Sequence, residues 1–293
     1  MGGRGSCYLN YNNPNNDDNQ ILSDLLDNAD NDKDTLKEYN GKTQKLKDKN
    51  IHIKESTDHL PEDVFIPNIR KIDSLTRKYL DTSDILENKQ EQLSIRSDKL
   101  KSSTVACFIS DSTNFSSLQI VLNKDLTFAN RERVEQMTSE QIDSGFWSKS
   151  DKNELVNHTL THEFGHYVQR VLMEKEKETK NGKERYNQVM EEYTKAKTTK
   201  ERQFVLQTYS EDCATRYFKE IQRIHRKKFG EKEDEKEISE YGKRSNAEAF
   251  AELFANLNTS KNPSNMSKSM KVFLEKNMTV KGKKDWLKKQ NFL

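Results

Sequence analysis

The chain has 293 residues, 32% hydrophobic and 33% charged, enough apolar side chains for one compact core with polar appendages but not for a chain that is core throughout. Its 50 Lys and Arg nearly balance its 48 Asp and Glu, and no basic patch interleaved with aromatics occurs, so no nucleic-acid partner is expected. Cys7, Cys107 and Cys213 are far apart and form no CxxC pair, which argues against a thiolate metal site or a disulfide framework.

Residues 1–60 read as a polar, largely disordered arm rich in Asn, Asp and Lys. The start, Met-Gly-Gly-Arg-Gly-Ser, leads into Asn and Asp rather than an apolar stretch, so no signal peptide is expected. Gly2 with Ser6 matches the short N-myristoylation pattern. The acidic run Asp30 to Asp34 fails as a calcium loop, because Thr35 and Gly41 stand where Gly and Glu are needed. No apolar run reaches the roughly 20 residues that span a bilayer.

Order is expected over 61–293. Ile69, Ile72, Leu75 and Tyr79 recur at helical spacing after Pro67. Thr104 to Ile109 and Leu118 to Leu122 are short β-branched runs and predict two strands, the second at the sheet edge. Asp151 and Glu154 have the spacing of a capping box, opening a helix that runs through His166 to about Lys175. On that helix Leu160, Phe164, Tyr167 and Val171 form one apolar stripe, and His158, His162 and His166 project from the other side. Residues 174–236 are dominated by Lys and Glu and read as an inserted helical hairpin: Tyr186, Val189, Met190 and Tyr193, then Leu206 to Ile224, ending near Gly230. Phe250, Leu253, Phe254 and Leu257 mark a further helix, with Val272, Phe273 and Trp286 closing the domain.

The chemistry concentrates in His162-Glu163-Phe164-Gly165-His166. Two histidines at i and i+4 stand one turn apart on one helix face, so both imidazoles can reach one ion. Glu163 points about 100° away, beside the metal rather than on it, where it can take a proton from water. A chance match to this pattern is on the order of one in a hundred, so the agreement of apolar stripe and histidine face in one register carries the reading. His158 pairs less well with His162, because the intervening Thr159 cannot act as a base; a supporting or exposed position suits it. A third ligand is required, from Glu191, Glu192, Asp212, His225, Glu248 or Glu252. Glu248 stands out, since Ala247, Ala251 and Ala255 run beside it and would let another helix come close.

His162-Glu163-Phe164-Gly165-His166, Tyr241-Gly242 and Asn246-Ala247-Glu248-Ala249-Phe250-Ala251-Glu252 together resemble the gluzincin catalytic domain of the anthrax lethal factor group. Similar motif pairs occur in phage and mobile-element zincin domains of low-GC Gram-positive bacteria. The resemblance covers residues 100–172 and 237–260. It implies an α+β, helix-rich zincin-like fold with a small sheet and an active-site helix. It also implies one Zn2+ held by His162, His166 and Glu248, Glu163 as base, Tyr241 as oxyanion donor and Glu252 orienting His162. The long charged segment between His166 and Tyr241 departs from the pattern.

The expected activity is that of a zinc-dependent endopeptidase acting on a peptide or protein substrate, which adds to the edge strand Leu118 to Leu122. The alternative is a non-catalytic structural or assembly protein of a phage or mobile element, with protein partners there. Glu163 discriminates, because a structural zinc needs ligands but no base. A cytoplasmic or virion-associated location is expected.

Overall fold

A computed structural model describes residues 51–53, 61–79, 92–101, 104–110, 117–125, 130–230 and 237–278. Within these, β1 (Ile51–Ile53), β2 (Gln92–Asp98), β3 (Ala106–Ser110) and β4 (Ser117–Asn123) form one sheet of order β1-β2-β4-β3. β1, β2 and β4 run parallel, and β3 is antiparallel to β4, with Phe108 opposite Ile120. The helices are α1 (Glu62–Tyr79), α2 (Arg131–Asp143), α3 (Leu155–Lys177), α4 (Lys180–Lys195), α5 (Thr199–Phe229), α6 (Asn246–Thr259) and α7 (Asn265–Asn277). The result is a helix-rich α+β architecture with a small sheet.

α3 is the central rod. Every residue from Val156 to Glu174 is buried, because β3 and β4, α1, α2 and α6 all pack around it. The expected apolar stripe lies in the core, with Leu160 and Phe164 beside Leu118, Ile120, Phe250 and Phe254. The histidine side is closed as well, by α6. Phe164, Phe250 and Phe254 are fully buried, each contributing about 1.5–3 kcal/mol. An exposed pair such as Arg223–Glu220 is worth about 0–1 kcal/mol, so packing rather than surface charge fixes the α3–α6 crossing.

Within the expected 174–236 insertion, residues 180–195 and 199–229 fold as the two expected helices, α4 and α5, residues 174–177 finish α3, and α5 ends at Gly230 with φ +91°. Its second helix is a member of the core: Cys213, Tyr217 and Ile221 are buried in the main cluster, and Tyr217 faces Phe250 and Phe273.

Several expectations are corrected. Leu118 to Leu122 is an interior strand, not the edge; Leu118, Ile120, Val121 and Leu122 are all buried between β2 and β3. The edge next to α3 is β3. Ile51–Ile53, assigned to the polar arm, supplies a strand instead, because Ile51 joins the core. β2 and α2 were not expected at all. α1 starts at Glu62 and keeps Pro67 inside it. The capping box does not form: Asp151 makes no side-chain cap and accepts instead from the backbone of Lys261, 3.0 Å away. Glu154 turns to Lys71 at 2.9 Å and Asn157 at 3.0 Å. Val272 and Phe273 lie on α7, whereas Trp286 falls outside the described residues, as do residues 1–50 and the features assigned to them. No helix among the described residues is long and apolar enough to cross a membrane.

Candidate metal centre

α3 and α6 cross at Gly165. A Cβ there would lie 3.1 Å from the Ala251 Cα and 3.1 Å from the Phe254 Cβ, so only glycine admits the α6 backbone this closely. Ala251 and Ala255 are fully buried on the facing side, in keeping with the small-residue stripe. The crossing sets α6 beside the histidines of α3. Ser245 caps α6 by accepting from the Glu248 backbone at 3.1 Å, leaving the Glu248 carboxylate to turn toward the imidazoles.

Glu248 Oε2 lies 3.1 Å from His162 Nε2 and 3.4 Å from His166 Nε2. One atom from each of the three residues falls within 4.8 Å of the others, and all three residues are buried. Among the described residues this is the one such group of potential ligands. Ligands at about 2.0–2.1 Å in a tetrahedron stand roughly 3.3–3.4 Å apart, so the two spacings are of the size that one shared metal ion could span. Burial would push the Glu248 carboxyl up, but His166 and His162 outweigh it and hold the group well below the usual carboxylate range.

The next layer backs the far side of His162. Its Nδ1 is 2.7 Å from Glu252 Oε1. The other Glu252 oxygen accepts from the Ser148 backbone at 2.5 Å and the Ser239 hydroxyl at 2.9 Å. Oε1 of Glu252 is thereby left to the Nδ1 side of His162. With an Nδ1 proton toward Glu252, a neutral His162 would present its Nε2 lone pair to a carboxylate 3.1 Å away. Two acceptors at that distance require a cation or a proton between them. The donor set fits a metal.

Tyr241 is buried at 1% exposure. Its ring centroid is 5.7 Å from that of His162. The placement depends on the turn after α2. Gly145 takes φ +74°, and the Tyr241 backbone donates to Phe146 at 3.0 Å. Val105, Trp147 and Tyr241 make a small separate core there. Glu163 is also buried, one residue beyond His162 on α3. His158 is not among the potential ligands: it is buried, stacks on Trp147 and sits with Nε2 2.8 Å from the Ser148 carbonyl. It thereby steadies the segment whose N–H holds Glu252.

The rejected ligand candidates lie elsewhere. Glu191 and Glu192 are exposed on α4, Asp212 is exposed on α5, and His225 packs against Phe229 near the far end of α5. The sequence reading missed Ser148, Ser239, Phe108 and Glu211. Phe108 on β3 stacks on His166, centroids 6.3 Å apart. Half-buried Glu211 has its carboxyl raised by burial first and by Glu248 second, with His166 opposing, which sets it beside the ligand group. Gly145-Phe146-Trp147, a helix-ending glycine followed by two aromatics, was the available signal for the first of these layers. No protein-family model, curated protein or solved structure matches this chain.

Proposed function

We propose that the chain is a gluzincin-type, zinc-dependent endopeptidase with a zincin-like fold. The observation that carries this reading is the convergence of His162 Nε2, His166 Nε2 and Glu248 Oε2 from two helices, with Glu252 fixing the proton on the far side of His162. Zinc, when bound, supplies a Lewis acid that polarises a carbonyl and lowers the pKa of a coordinated water. His162, His166 and Glu248 would hold it.

The remaining chemistry belongs to the side chains. Glu163 accepts the proton of the attacking water on its carboxylate and returns it to the leaving amine, the work of a general base and then acid. Its burial suits that task by keeping bulk water from the transfer. The Tyr241 phenol donates a hydrogen bond to the carbonyl oxygen as negative charge builds there. Glu252 keeps His162 in one tautomer and one orientation throughout. An extended peptide adds to the β3 edge rather than to β4, and Phe108 brings that edge against His166.

The rival reading is a non-catalytic zincin-like assembly component of a phage or mobile element. It draws on the depth of the site, where His162 is 0% and Glu163 1% exposed. The deciding experiment is a peptide-library digest with metal content measured in parallel. Wild-type cleavage that Glu163→Gln abolishes while retaining zinc supports the peptidase. Zinc-loaded wild type that cleaves nothing favours the assembly role.

A further inference from the structure

On the opposite side of α5 from the ligand group, a cavity of about 500 Å³ opens between α3, α4, α5 and α7. Glu176 in its wall is ten residues beyond His166 on α3, or about 15 Å along the helix axis, so the cavity is separate from the metal centre. Five cationic side chains line it: Lys175, Arg185, Arg216, Arg223 and Lys276. Among the described residues two carboxylates share the lining, Glu176 and Glu220. These five cations and two carboxylates leave the described lining at +3.

The internal carboxylates do not exhaust the donors. Glu176 accepts from Tyr217 at 2.8 Å and from Arg216 at 3.1 Å, and also from Arg185. Glu220 takes both Nε and Nη2 of Arg223 at 2.7 Å and Lys276 at 3.1 Å. A guanidinium carries five N–H donors, and these contacts use a minority of those on Arg185 and Arg216. Arg185 Nε is buried with no hydrogen-bond partner among the described residues. Leu172 and Phe273 supply an apolar floor.

We infer that this cavity binds a compact small molecule carrying two or more phosphate charges, with Arg185, Arg216, Arg223 and Lys276 as its anchors. The chemistry is that of guanidinium forks on tetrahedral oxyanions, a match that spherical or singly charged anions do not make. A ligand there would join four helices, α3, α4, α5 and α7, and would stabilise the fold by mass action.

The test uses the full-length protein with inorganic pyrophosphate, followed by calorimetric titration and thermal unfolding. Saturable binding with a rise in Tm is expected, absent with sodium chloride at equal ionic strength. Arg223→Gln with Lys276→Gln alters exposed side chains, so the fold survives, and affinity should fall about tenfold or more. Arg185→Gln should weaken binding similarly, whereas Lys243→Gln, remote on the Gly242–Arg244 turn, should not. Absence of saturable binding, or affinity unchanged in the Arg223/Lys276 variant, overturns the site. Citrate binding as tightly as pyrophosphate overturns the phosphate assignment.

Discussion

Gly165→Ala is the smallest change that tests how the fold builds the centre. The new methyl would sit 3.1 Å from the Ala251 Cα and 3.1 Å from the Phe254 Cβ. Both atoms belong to the frame of α6, and Phe254 is wedged against Tyr79 and Phe164, so no flexible side chain can swing aside. Overpacking of this kind costs about 1–3 kcal/mol. Replacing a mid-helix glycine by alanine returns about 1 kcal/mol through helix propensity. The net expectation is about 0–2 kcal/mol of destabilisation, or a fall in Tm of up to roughly 8 °C for a domain of this size. Moving α6 by a few tenths of an ångström also lengthens the Glu248 spans to His162 and His166, so zinc affinity should drop with stability. Ala251→Gly should not rescue the variant, because the clash is with Cα. Thermal unfolding of the apo protein and competitive zinc titration measure the two effects. A Gly165→Ala protein more stable than wild type, with zinc affinity unchanged, would refute the close crossing.

Three further outcomes follow from the same geometry. Glu252→Gln should keep the fold but weaken zinc binding about 10–100-fold, as measured by chelator competition, because the Nδ1 side of His162 loses its carboxylate. Tyr241→Phe keeps the ring packed on His162 and Phe146, so zinc content and KM should hold while kcat falls about a hundredfold, roughly 3 kcal/mol. Glu220 is held down to about 2 chiefly by Arg223, against burial and with help from Lys276; its folded value is below the ordinary one, so its stabilisation is present above pH 4.5 and disappears as pH falls toward 2. Solvent screening at this surface pair keeps the effect below about 1 kcal/mol, and acid titrations of wild type and Glu220→Gln should converge at the low end.

The helix carrying His162 and His166 was legible because its chemistry and its apolar period share one register, and α6 because alanine, glutamate and phenylalanine alternate at helical spacing. What the sequence hid was set by distant partners. Asp151 and Glu154 have a capping-box spacing, yet Lys261 and Lys71 claim their carboxylates, so a tertiary contact displaced a local one. Strand order is likewise non-local: nothing within Leu118 to Leu122 says whether a neighbour lies on one side or two. α2 buries only Val134 and Thr138, too few to mark an amphipathic period. Glu252 could be placed by spacing, but Ser148 and Ser239, which hold it, come from loops with no periodic signature. The stripe from Leu206 to Ile224 on α5 was legible from its helical period, but not that it packs into the main core rather than flanking it as an insertion, since that depends on distant partners such as Phe250 and Phe273.

The central claim is that Glu163 and Glu248, both buried acids, do different work. Purified wild type, Glu163→Gln and Glu248→Gln should be compared for bound zinc by elemental analysis and for cleavage of one peptide found in the library digest. The account predicts about one zinc per chain in wild type and in Glu163→Gln, with turnover lost at least about a hundredfold in the latter. It predicts zinc depletion in Glu248→Gln. Zinc retained by Glu248→Gln and lost from Glu163→Gln would contradict it.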